Sequence, residues 1–307
     1  MQKFILTASV LLVATTSYAQ DLPSPKTPKV ASVVPSSNAI LNVNNEISLQ
    51  FVLNHFDYKE TGDGRLDTPI GLLDTEKGYV PGFGVSASLM KNWIFDNFYL
   101  YADYQRSSGK TSYVGSYAFG NVCAPASIPF CYGSVKDKDG AITDNFDLRI
   151  GKGFALDDHF MVTPYLGAGH YSWDRKVNFG EEYRNFYYGA GLMAQFSPVS
   201  NLVLSTTGLV GRTFDSQIDV HGGAAVGAVV AIPVLIGFSG GLGNSTIVKL
   251  GASADYALAD NIHINAGVDS TNFKFGESAV YGNIPRSWEP NSKSAFITYK
   301  LGLGYSF

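Results

Sequence analysis

Side-chain polarity with a period of two constrains this chain more than any other feature. Ile47, Leu49, Phe51 and Leu53 alternate with Ser48, Gln50, Val52 and Asn54. Phe83, Val85, Ala87 and Leu89 alternate with Gly84, Ser86, Ser88 and Met90. Phe98, Leu100, Ala102 and Tyr104 alternate with Tyr99, Tyr101, Asp103 and Gln105. The pattern recurs over 146–151, 185–196, 248–256, 262–269 and 295–307, and less cleanly over 160–172 and 201–213. A β-strand turns successive side chains to opposite faces, so each segment separates an apolar face from a polar one. The spacing predicts ten strands, over 46–58, 80–91, 96–106, 142–154, 159–173, 183–196, 201–213, 246–258, 260–275 and 293–307. Most run well past the usual 5–6 residues or so, long enough for a tilted crossing of bilayer hydrocarbon.

The connections alternate in length. Those at 92–95, 155–158, 197–200 and 258–260 are short; those at 59–79, 107–141, 174–182, 214–245 and 276–292 are long. Tight turns at one rim and long loops at the other characterise a membrane barrel; a soluble sandwich gives no reason for that regularity. The expected fold is all-β, a transmembrane antiparallel up-and-down β-barrel of about ten strands over 45–307, with twelve as the alternative.

Alternation alone does not say which face is outside. A soluble barrel turns its apolar face inward, and a membrane barrel turns it to lipid. The polar faces are rich in Gly and Tyr, as a crowded lumen requires. Charged residues make up only 16% of the chain, against about 25% in soluble domains. Trp93, Phe95, Phe98, Phe154, Phe160 and Phe196 gather near short turns, and Tyr58, Tyr79, Trp173 and Tyr183 near long loops. These groups suggest two interfacial girdles, where amphipathic rings are favoured.

The chain ends Lys300-Leu301-Gly302-Leu303-Gly304-Tyr305-Ser306-Phe307. Lys300, Gly302, Tyr305 and Phe307 fit a pattern of polar, any, Gly, any, any, aromatic, any, terminal aromatic. This resembles the C-terminal β-signal of Gram-negative outer-membrane proteins. The resemblance implies recognition by the barrel-assembly machinery and insertion into outer-membrane lipid. In general plan the chain is similar to the small porin-like and opacity-type barrels. Residues 1–19 read as a signal peptide, with Lys3 before an apolar run and Ser17-Tyr18-Ala19 before the cut. Residues 20–44, rich in Pro and Ser, are expected to form a periplasmic tether.

Few motifs suggest chemistry. Cys123 and Cys131 enclose a short apolar stretch, and an oxidising export route favours a disulfide between them. Residues 222–241 carry no charge; they read as a loop folded over the mouth, an extra hairpin, or a contact with lipid or a partner. Asp219-Val220-His221 invites comparison with the omptins, ten-stranded outer-membrane proteases, but no acidic pair stands opposite it. The five histidines sit in no nucleophile motif of the outer-membrane phospholipase kind. Asp137-Lys138-Asp139-Gly140 lacks the closing Glu of a calcium loop, since residue 148 is Leu148. Asp139-Gly140 reads instead as a tight turn, as does Gly62-Asp63-Gly64. No metal or cofactor is expected, and a net charge of −4 offers no basic surface for nucleic acid.

The lumen is then the place to look. Asp103, Asp147, Asp255 and Asp269 are expected to face Arg149, Lys249 and Lys300 there, with bulky Tyr99, Tyr101, Tyr187 and Met193. In a barrel this narrow, such side chains fill the interior. The expectation is a non-enzymatic surface barrel with a largely plugged lumen and loops that meet a surface ligand. A narrow solute channel is the alternative, with an omptin-like surface hydrolase a distant third.

Overall fold

The computed structural model describes residues 36–65, 70–115, 132–177, 180–222, 237–282 and 288–307. A short helix α1 (Ser36–Val43) precedes twelve strands. They are β1 (Glu46–Asp63), β2 (Ile70–Lys91), β3 (Phe98–Gly115), β4 (Val135–Lys152), β5 (Phe154–Ala155) and β6 (Phe160–Arg175). There follow β7 (Glu181–Val199), β8 (Leu202–Val220), β9 (Phe238–Gly241), β10 (Thr246–Ala259), β11 (Ile262–Phe275) and β12 (Asn291–Ser306).

Ten strands close a ring in the order β1-β2-β3-β4-β6-β7-β8-β10-β11-β12 and back to β1, each antiparallel to its neighbours. β5 and β9 lie outside the ring, paired with β6 and with the far end of β8. The first and last strands zip from Glu46↔Ser306 to Thr61↔Asn291. Closure leaves no open edge, which hydrocarbon would penalise by several kcal/mol per bare backbone group, on the order of the water-to-alkane cost.

The apolar face points outward. Leu49 is 63% exposed and its cross-strand partner Leu303 60%, while Ser48 and Gln50 on either side of Leu49 are 3% and 8% exposed. This is the inverted arrangement of a membrane barrel, with polar side chains in the lumen.

The polarity rule reverses along β1, β11 and β12. On β1 the outward apolar side chains end near Leu53, and Phe56 and Tyr58 point inward, fully buried. On β11 the switch falls between Val268, outward, and Phe273 and Phe275, inward. Leu53 and Val268 both stand opposite Tyr299 of β12. Just above them Phe56 stands opposite Phe296, and both are buried. The outward face above this level carries polar pairs such as Lys77–Asp57, at 3.2 Å. The outer limit of the hydrocarbon therefore lies near Tyr299, with exposed Tyr79 beside it.

Above that limit the strands continue into stretches expected as loops. β1 reaches Asp63, β2 begins at Ile70, β3 reaches Gly115 and β8 reaches Val220. Outside lipid the outer face becomes polar and the inner face apolar, so the alternation that marks a lipid-crossing strand stops. Asp139 and Gly140 correspondingly lie within β4 rather than in a turn. Gly64 does turn the chain after β1, at φ +88°, a conformation that glycine adopts without Cβ strain.

The segment expected as tether ends in α1, whose Ala39 and Ile40 are buried. Residues 20–35 lie outside the described residues, as do the Cys123–Cys131 pair and most of 222–241. From that last stretch, Phe238–Gly241 pairs with Gln217–Val220, extending β8 into a short hairpin above the ring. The ring itself has ten strands rather than twelve.

Candidate functional site: a filled lumen

The side chains inside the barrel form three layers. At the short-turn end, α1 lies against β7 and β8, burying Ala39 and Ile40 among Met90, Met161, Met193 and Val203. Asn44 Nδ2 donates to Gln195 Oε1 at 2.6 Å, and Asn45 Nδ2 to the Met90 carbonyl at 3.0 Å. These bonds tie the segment between α1 and β1 across the base of the barrel.

The middle layer is ionic. Asp147 accepts from Arg149 Nε at 2.7 Å, from Tyr187 Oη at 2.6 Å and from Lys249 Nζ. The Arg149 guanidinium also lies over the rings of Tyr101 and Tyr165, at 4.7 and 5.2 Å. Lys300 Nζ meets Asp269 Oδ2 at 2.6 Å, and Asp103 accepts from Gln105 at 2.5 Å. Three acids, Asp103, Asp147 and Asp269, thus face three bases, Arg149, Lys249 and Lys300. The cavity between them has a volume of about 20 Å³, room for roughly one water.

The outer layer is aromatic and surrounds one buried arginine. Trp173 packs on Phe56, Tyr58 and Tyr183 with ring centroids 5.8, 5.1 and 5.7 Å away. Tyr171, Phe273, Phe275 and Phe296 complete the cluster. Arg175, fully buried, pairs with Asp74 at 3.2 Å, Glu76 at 2.9 Å and Glu181 at 3.2 Å. Its guanidinium also stacks over Tyr58 at 4.7 Å and Trp173 at 5.1 Å. From the β11–β12 connection, Glu289 accepts from Tyr183 Oη at 2.5 Å. Burial, and then the nearby Glu181 carboxylate, push the Glu289 carboxyl up to about 8.

All seven lumen residues expected from the sequence point inward, but they do not form one group. Asp255 lies lower, where its carboxylate meets His263 Nδ1 at 2.5 Å. Tyr58, Trp173 and Tyr183, expected in an interfacial girdle, are core residues of the outer layer. The girdle at the short-turn rim does form, from exposed Trp93, Phe95, Phe154 and Phe196; Phe98 is buried. Sequence reasoning missed Arg175, Asp74, Glu76, Glu181 and Glu289. Arg175 was within reach, because it continues the inward parity of Tyr171 and Trp173 on β6.

Two arrangements bear on enzymatic chemistry. Asp219 and His221 alternate with inward Ile218 and Val220 and so face outside; Asp219 accepts from Ser239 Oγ at 2.9 Å and His221 is exposed. At the base, Ser306 Oγ lies 3.2 Å from His263 Nε2, with Asp255 on the other ring nitrogen. That is the order of a hydrolytic triad, but Ser306 is 3% exposed and its hydroxyl donates to the Asp260 carbonyl. No substrate carbonyl can approach it in this geometry.

No family model and no curated protein sequence matches the chain. Among solved structures, the outer membrane protease OmpT from Escherichia coli matches with a TM-score of 0.50 at 11% identity, over 91% of this chain and 99% of that one. The fold is that of outer-membrane β-barrels. OprG from Pseudomonas aeruginosa matches at TM-score 0.31 and 10% identity, over 85% of this chain and 96% of that one. Ail, the attachment invasion locus protein of Yersinia pestis, matches at 0.28 and 12%, over 86% and 99%. At such identities the likeness concerns the fold and not the activity.

Proposed function

We propose that this protein is a sealed outer-membrane barrel that acts through its surface loops and not through its lumen. The reading rests on the charge-balanced middle layer, where the cavity between the charged groups measures about 20 Å³, room for roughly one water. A conducting pore needs a continuous wet path and usually a ring of one charge sign. Here each base in the layer has an acid beside it, and the layers above and below are packed with aromatic rings and with α1. The signal peptide and the C-terminal pattern support export and insertion by the assembly machinery. The protein is non-enzymatic in this reading, since Asp219 and His221 face outward, away from the buried acids Asp74, Glu76 and Glu181 that Arg175 holds.

The test is conductance in a planar bilayer, using refolded mature chain whose gel mobility changes on boiling. Folded protein should give no stepwise current. Salt-dependent steps would favour the narrow channel, with selectivity moved by charge reversal at Arg149 or Lys249. Replacing the β3–β4 and β8–β10 loops with short turns should abolish surface binding and leave the barrel intact. Proteolysis by the folded protein that is lost in His221→Ala would favour a surface hydrolase.

A further inference from the structure

The base of the lumen holds a second polar cluster that the sealing layers do not use. Glu46 is the first residue of β1, Asp255 lies on β10 and His263 on β11. They are 6%, 6% and 2% exposed. His263 Nδ1 is 2.5 Å from Asp255 Oδ1 and 3.6 Å from Glu46 Oε2. Glu46 Oε2 accepts no hydrogen bond and is shut off from solvent. A single ring nitrogen thus faces two buried carboxylates, and its one proton serves only one of them. Even a charged imidazolium leaves one negative charge, which only a second proton or a cation neutralises, and burying an unpaired charge is costly.

We propose that Glu46, Asp255 and His263 bind a divalent first-row cation, zinc above all. Two carboxylates and a neutral imidazole balance a charge of +2. One donor atom from each residue already lies within 4.8 Å of the others. Tetrahedral zinc needs such atoms roughly 3.4 Å apart, from bond lengths of about 2.0–2.2 Å, so side-chain motions of about an ångström complete the set. Three protein donors suit zinc with water in the fourth position, whereas calcium requires at least twice as many oxygens.

The surroundings prepare each donor. Ser306 Oγ–H points at the Asp260 carbonyl, which can only accept, so the oxygen accepts from His263 Nε2–H at 3.2 Å. With a metal on Nδ1 in place of the proton that now faces Asp255, the ring proton would sit on Nε2 and donate to Ser306, the usual outer support of a ligating histidine. Asn265 Nδ2 donates to Glu46 Oε1 at 3.2 Å and leaves Oε2 for the ion. Gly304 of β12 lies under the Glu46 carboxylate, where a Cβ would collide with it. The absence of a side chain there lets Glu46 cross β12 and reach His263 on β11. The ion would join β1 to β10 and β11 across the seam where the first and last strands meet, locking the closed ring at its base.

The experiment titrates refolded, chelator-treated mature chain with zinc by calorimetry, and with cobalt(II) by absorption. One equivalent of zinc should bind per barrel, and cobalt should show the intense visible bands of a tetrahedral site. Glu46→Gln and Asp255→Asn, nearly isosteric, should each weaken binding about a hundredfold or more, and Ser306→Ala about tenfold. Zinc should raise the temperature of the boiling-dependent gel shift in the parent and not in Glu46→Gln. Folded parent that binds no zinc at micromolar concentration overturns the proposal, as does undiminished binding in both amide variants. Should an amide variant fail to fold, the parent's cobalt spectrum decides: octahedral, weak bands refute the site.

Discussion

Replacing Arg175 with methionine keeps most of the side-chain volume and removes the guanidinium that holds Asp74, Glu76 and Glu181. Arg175 is 0% exposed, so water cannot substitute for it. Breaking a buried pair by removing one partner costs about 3–5 kcal/mol, chiefly because the other charge is left buried and uncompensated. Three carboxylates are abandoned here, and stacking on Tyr58 and Trp173 is lost as well, so the upper end of that range applies. At roughly 2–4 °C per kcal/mol for a domain of this size, the unfolding temperature should fall by about 10–20 °C at pH 7.5. The assay is the temperature at which the folded band disappears on a semi-native gel, checked by tryptophan fluorescence in detergent. The deficit should shrink at pH 5, where abandoned carboxylates take up protons, and Glu76→Gln in the Arg175→Met background should recover part of it. An Arg175→Met barrel as stable as the parent at pH 7.5 would refute the reasoning, since the cluster would then have to be hydrated.

Glu289, held up to about 8 against an ordinary value near 4.5, has a folded value above its unfolded one. Its contribution to stability is therefore fully present below pH 4.5 and is lost as pH rises through about 8. Thermal melts of the parent should decline over that window, and those of Glu289→Gln should lose that part of the slope. Gly82→Ala should lower the yield of folded barrel, because a Cβ there would run into the Arg106 carbonyl and the Ser107 backbone of β3; Gly208→Ala, with its nearest neighbour the Leu250 side chain at 3.6 Å, should refold normally. Phe51 stands level with Phe83 and Leu301 on the lipid face. Phe51→Arg should cost about 2–4 kcal/mol in urea titrations in lipid vesicles, whereas Asp57→Arg, in the headgroup zone, should cost about 0–1.

The lipid-crossing part of the fold was legible because lipid imposes a simple rule. Leu49, Val85, Leu148, Leu192, Leu250, Ile264 and Leu303 all face outward as their alternation implied. That rule also located Asp103, Asp147, Arg149, Lys249, Asp269 and Lys300 in the lumen, each on the opposite parity. It could not give the pairs made between strands far apart in sequence, such as Asp147 with Lys249. The cluster at the base was hidden for the same reason. Asp255 and His263 meet across the β10–β11 hairpin, but Glu46 joins them only once the ring has closed, and Gly304, which lets it cross a strand, falls at an unspecified position of the C-terminal pattern.

The outer half was misread where two environments apply opposite rules to one strand. Along β1 the apolar positions are odd through Leu53 and even at Phe56 and Tyr58. A single period-two pattern breaks there, and the remainder resembles a loop. The break is instead a phase change: the strand continues, but the apolar solvent passes from outside the barrel to inside it. On β11 the corresponding break falls between Val268 and Phe273, and the register sets both breaks beside Tyr299. Agreement between strands related by register and not by sequence marks this level as a physical boundary. Above it the barrel stands free of lipid, and an aromatic interior becomes necessary because water lies outside. Arg175 and its carboxylates occupy that free-standing half, so the ionic cluster joins the walls of the exposed part of the barrel, where no surrounding bilayer holds the strands together.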